Sequence, residues 1–75
     1  MTPRDRIYAL PAGEGRIRLV GDDVLGRRLG DVELDPDPFS PATHRDVAWF
    51  CRLVGCDPAD AWRQVWRAFT QEAAG

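Results

Sequence analysis

The sequence predicts an α+β domain: a small antiparallel sheet of two or three strands, followed by a helical hairpin packed on it. Three observations predict it. Apolar residues alternate with charged ones before Pro36, apolar residues recur at helical spacing after Pro41, and Asp35-Pro36-Asp37-Pro38 lies between the two patterns. Two prolines lacking amide donors cannot continue a sheet ladder, so this segment joins two halves. The strand half falls at about 5–35 and the helical hairpin at about 41–72, within a single domain of 75 residues.

Arg6 to Leu10 and Arg16 to Val20 are short β-branched or aromatic runs, and Pro11-Ala12-Gly13-Glu14-Gly15 between them reads as a hairpin turn. In the second run Ile17 and Leu19 alternate with Arg16 and Arg18, so one face is buried and the other charged. Asp31 to Asp35 alternates in the same way, with Val32 and Leu34 inward and three carboxylates outward. Gly21 to Gly30 is open to two readings: Val24, Leu25 and Leu29 make either one helical turn or part of a bent strand.

Ser40-Pro41 is a helix cap followed by the proline favoured in a first turn, and Thr43 with Asp46 offers a second capping reading. This helix runs to about Val54, Gly55 ends it, and Asp57-Pro58 starts the next by the same logic. In the second helix Trp62, Val65, Trp66, Phe69 and Ala73 share one side, which predicts that Trp62 and Trp66 are core. Val47, Phe50, Cys51 and Val54 form the stripe of the first helix, and Trp49 and Leu53 widen it. The widened stripe either packs against two neighbours or exposes a contact surface.

Composition narrows the function classes. A chain this short hides only roughly 60% of its unfolded surface, which leaves little core from which to carve a substrate pocket. No nucleophile elbow or phosphate-cradling glycine loop is present, so a non-enzymatic role is expected, without a cofactor. Cys51, Cys56 and His44 offer three zinc-type ligands at unsuitable spacing, and two reduced, mostly buried thiols are expected instead of a metal site. No apolar run is long enough for a signal peptide or a membrane span, so the chain is expected in the cytoplasm, with no membrane partner.

The net charge is −2, and every basic residue is arginine. Between Asp22 and Pro38 six acids face only Arg27 and Arg28, whereas a nucleic-acid binder carries a basic stripe. Asp22, Asp23, Asp31, Glu33, Asp35 and Asp37 are therefore candidate partner-binding residues, forming an acidic surface that suits a basic channel on another protein. The alternative is that Arg16 and Arg18 neutralise them across the sheet. Trp49 and Leu53 are candidates for an apolar anchor beside it.

The run Asp46-Val47-Ala48-Trp49-Phe50-Cys51-Arg52-Leu53-Val54-Gly55-Cys56-Asp57-Pro58, with Trp62-Arg63 following, resembles a helical hairpin of small phage and prophage proteins from GC-rich bacteria. It covers about a quarter of the chain. Among such proteins, anti-CRISPR proteins are similar in size, charge and lack of catalytic motif. The resemblance implies a phage-encoded inhibitor acting in the host bacterial cytoplasm, which binds a CRISPR surveillance complex and blocks target-DNA binding. Its partner would be a CRISPR effector subunit with a basic DNA channel. That family shares no motif, so no functional residue transfers from it. A helix-turn-helix DNA-binding regulator is the second reading, because helix, glycine turn and helix follow one another at Gly55. A small phage structural or assembly protein is the third.

Overall fold

The computed structural model describes residues 6–74, with side chains through residue 71. The opening of the strand half at residue 5 and the side chain of Ala73 lie outside what is described. Three antiparallel strands, β1 (Arg6–Pro11), β2 (Ile17–Asp22) and β3 (Arg28–Leu34), form a sheet in the order β1-β2-β3. Two helices follow, α1 (Pro41–Val54) and α2 (Pro58–Ala74). The α+β class expected from the sequence is the class observed, with three strands.

The first hairpin closes over Gly13, Glu14 and Gly15, all with positive φ, and Arg16 donates its amide to the Gly13 carbonyl at 2.9 Å. The ambiguous stretch from Gly21 to Gly30 is a second hairpin, not a helical turn. Asp23 builds it: its side chain accepts the amides of Leu25 and Arg27 at 2.9 and 2.8 Å, while its carbonyl accepts Gly26. Gly26 takes φ +81°, a conformation that side-chain-bearing residues resist. Gly21 pairs with Gly30 but Asp22 with Arg28, so Leu29 is an extra residue and β3 carries a bulge. The third strand thus starts earlier than the alternation suggested and ends at Leu34. Asp35 lies beyond it and does not belong to the row of strand carboxylates.

Ser40 caps α1 by accepting the Ala42 amide, and Gly55 closes it in the left-handed region at φ 80°. The second capping reading fails at both residues. The Thr43 hydroxyl, fully buried, donates to the Asp37 carbonyl at 2.8 Å, and Asp46 forms an ion pair with Arg45 at 3.6 Å. Asp57 caps α2 by accepting the Ala59 amide.

Both helices lie on one face of the sheet, α1 mainly over β3 and α2 mainly over β1. Leu19 and Leu34 meet Val47, Phe50, Cys51 and Val54 of α1 and Ala61 and Val65 of α2 in the core. Glycine makes this approach feasible: a Cβ at Gly21 would stand 2.9 Å from both Val54 methyls and 3.2 Å from Phe50 Cζ. The core stripe of α2 is the expected one only in part: Val65 belongs to the core and Trp62 and Phe69 pack against it, but Trp66 does not. Ala61, Val65 and Ala68 are buried, Trp62 and Phe69 are half-buried, and Trp66 remains 42% exposed. The buried stripe is centred roughly a quarter turn from the aromatic one. Two of its three residues are alanine, and their small side chains let α2 sit close to the sheet while the aromatics fall on its flank.

Candidate protein-docking surface

Residues on the sheet's open face form a self-neutralising grid. Register aligns Leu10, Arg18 and Glu33 in one row, Tyr8, Val20 and Asp31 in the next, and Arg6, Asp22 and Arg28 in the third. Arg18 reaches Asp31 at 3.4 Å and Glu33 at 4.0 Å, while Arg28 reaches Asp22 at 2.9 Å and Asp31 at 3.1 Å. The Tyr8 hydroxyl donates to Asp22 at 2.9 Å, and the Arg6 guanidinium lies 5.0 Å from the centre of the Tyr8 ring. Val20, which strict alternation sends outward with Arg18, is fully buried in the middle of this grid. Alternation alone could not reveal that the charged face encloses an apolar residue of its own.

The six candidate acids therefore do not form one free acidic surface. Asp22, Asp31 and Glu33 share the open face with Arg18 and Arg28. Asp23 belongs to the second turn, where it also accepts Arg27 Nε at 3.0 Å. These hydrogen bonds, the Arg27 amide foremost, hold the Asp23 carboxyl below the usual carboxylate range. Asp35 accepts from the Ser40 hydroxyl at 3.1 Å, and Asp37 accepts the Phe39 amide at 2.9 Å. Of the two arginines expected to neutralise the acids only Arg18 does so; Arg16 precedes β2 and forms no ion pair among the described residues, and Arg28 takes its place from β3 itself.

Trp49 and Leu53 stand together, 46% and 49% exposed. At 100° per residue, Val47, Phe50 and Val54 of α1 face the sheet, and His44, Ala48 and Cys51 face α2. Trp49, Leu53 and Asp46 take the flank away from α2, above the outer edge of β3. Leu53 lies so close over Gly30 that a Cβ there would collide with its Cδ2, and Trp49 borders a shallow hollow with Val32, Arg45 and Arg52. The sequence brought this pair forward correctly as lying off the main stripe; it could not say that the strand beneath is an edge.

A second cluster escaped sequence reasoning. Phe39, from the loop before α1, meets Trp66 edge-on at 5.3 Å, Trp66 lies 6.4 Å from Trp62, and Trp62 lies 4.7 Å from His44. His44 and Trp62, at one end of the row, line an open groove of about 650 Å³ together with Cys51 and Cys56. Both thiols are free, with Cys51 buried and Cys56 half-buried. Burial, followed by a hydrogen bond with Cys51, pushes the Cys56 thiol up to about 12. Among the described residues, no three of His, Cys, Asp and Glu come together as a metal cluster, and no helix is long and apolar enough to cross a membrane. No family model, curated protein or solved structure matches this chain.

Proposed function

We propose that this protein is a non-enzymatic docking module that binds another protein, and that it acts as a phage-encoded inhibitor of a CRISPR surveillance complex in the host cytoplasm. The observation that carries the docking reading is the exposed pair Trp49 and Leu53, seated on α1 beside a strand edge that is unpaired among the described residues. Tryptophan on such a support loses little freedom on binding and is enriched among interface hot spots. The inhibitor class rests on the size, acidity and helical-hairpin resemblance of the sequence. Because the acids have local partners, the anchor is apolar and the charges orient the approach.

The test measures target-duplex binding by purified surveillance complexes with and without this protein. The wild type should suppress target binding. Trp49→Ala should weaken suppression by about 2 kcal/mol of binding free energy, with an unchanged melting midpoint. Lost stability in this variant would place Trp49 in the fold instead of at a contact, and no suppression by the wild type would reject the inhibitor reading. The helix-turn-helix alternative is weakened by Asp57 and Asp60 at the start of α2, where phosphate would approach, and by the engagement of Arg63 with Asp60 at 3.0 Å. A duplex mixed with this protein alone should not shift.

A further inference from the structure

The two edges of the sheet differ. Each edge strand has a helix over it, α2 over β1 and α1 over β3, but β1 ends in Pro11, which has no amide to offer. β3 contains no proline, and among the described residues its outer side has no neighbouring strand. The Leu29 bulge and the charges of Arg28, Asp31 and Glu33 guard this edge against indiscriminate pairing, and from Gly30 to Leu34 its backbone groups are open to a strand of suitable charge. Trp49 and Leu53 stand over this edge, so a strand laid beside β3 would lie beneath their side chains.

Charge specifies the occupant. On the open face the outermost row is Arg28, Asp31 and Glu33, net negative by one. Arg28 is engaged by Asp22 and Asp31, while Glu33 has only the 4.0 Å approach of Arg18. A neighbouring strand would therefore set a basic side chain against Glu33, the acid with the weaker partner, and its alternate residues would pass beside Val32, Leu53 and Trp49, where apolar groups fit at the rim of a hollow that Arg45, Asp46 and Arg52 also line. A second copy of this chain is the competing occupant: antiparallel self-pairing about Val32 opposes Asp31 to Glu33, a like-charge contact, and only registers nearer the Leu29 bulge bring Arg28 opposite an acid.

We propose that the β3 edge beneath Trp49 and Leu53 is a strand-addition site for an extended segment of a partner protein that alternates apolar and basic residues. This rests on the docking reading above and names the chemistry of that partner. Main-chain pairing supplies affinity, and the alternating side chains supply selectivity.

The probes are short synthetic peptides: one alternating valine and lysine, a scramble of the same composition, and one alternating valine and glutamate. The valine–lysine peptide should bind the wild type at least about tenfold more tightly than either control. It should also slow hydrogen exchange at alternate β3 amides. Glu33→Lys should shift preference toward the valine–glutamate peptide, and Trp49→Ala should weaken the preferred complex. Should Glu33→Lys not fold, Glu33→Gln serves, and the preference between the two alternating peptides must then narrow. Equal binding of the alternating and scrambled peptides, binding without β3 protection, or no binding at all would overturn the proposal. Peptide failure sinks strand addition alone, since suppression of target binding by the whole protein is measured separately.

Discussion

Single residues show where hydrophobicity misleads. Trp66 is the larger side chain, yet Phe50 is the one fully buried, under Gly21 and within the α1 stripe. Phe50→Ala should cost about 3–5 kcal/mol, whereas Trp66→Ala should cost well under half of that, because it loses chiefly the edge contact with Phe39. Thermal melts of the two variants check the order, and equal losses would refute the rotated stripe. Cys56 gives a prediction in pH. With the folded thiol raised to about 12 from its ordinary 9.0, the unfolded chain releases this proton first as pH rises. The thiol's contribution to stability is therefore complete below pH 9 and falls as pH climbs toward 12. Alkylation of the native protein at pH 9 should lag far behind alkylation of the unfolded chain, and comparable rates would show an accessible thiolate.

At the scale of elements, most boundaries were legible because each is set by local chemistry. Ser40-Pro41, Gly55 and Asp57-Pro58 mark helix ends through caps that operate within a turn of the residue itself. The second hairpin was not legible, because its signal is one carboxylate gathering two amides and a guanidinium at once, and no dipeptide pattern announces this. Asp23→Ala should loosen that turn. Since its folded carboxyl titrates below 3.8, its contribution is present above that pH and is lost as pH falls through the lower folded value. Amide exchange at Leu25 and Arg27 should rise in the variant at neutral pH, and in the wild type only on acidification. The orientation of α2 was equally hidden, because periodicity fixes which residues share a face but not which face meets the sheet. Ala61 and Ala68 won over the tryptophans through closeness of approach, a tertiary quantity. The exposed pair on α1 was half legible: Trp49 and Leu53 stood out by spacing, while the strand edge near them is a property of strand order.

At the scale of the whole molecule, the charges counted along the chain and the charges met in space differ. Asp22, Asp31 and Glu33 lie against Arg18 and Arg28 on one sheet face and Asp23 pairs with Arg27 in the turn, so the field outside is weaker than six carboxylates suggest. Reversing Asp31 and Glu33 to lysine would crowd five cations, the native Arg6, Arg18 and Arg28 and two new ones, onto that face around Val20. Exposed pairs contribute little individually, but replacing attraction by repulsion at several neighbours should lower stability by about 1–3 kcal/mol at low salt. Salt then supplies a test of sign. In the wild type it screens attractive pairs and should lower the melting midpoint slightly; in the reversed variant it screens repulsions and should raise the midpoint. Adding Arg18→Glu to the reversed variant should recover part of the loss by restoring opposite charges across β2 and β3. If salt moved both proteins in the same direction, or Arg18→Glu recovered nothing, the grid would not be the source of the coupling and the carboxylates would again be free to act as an outward-facing acidic surface.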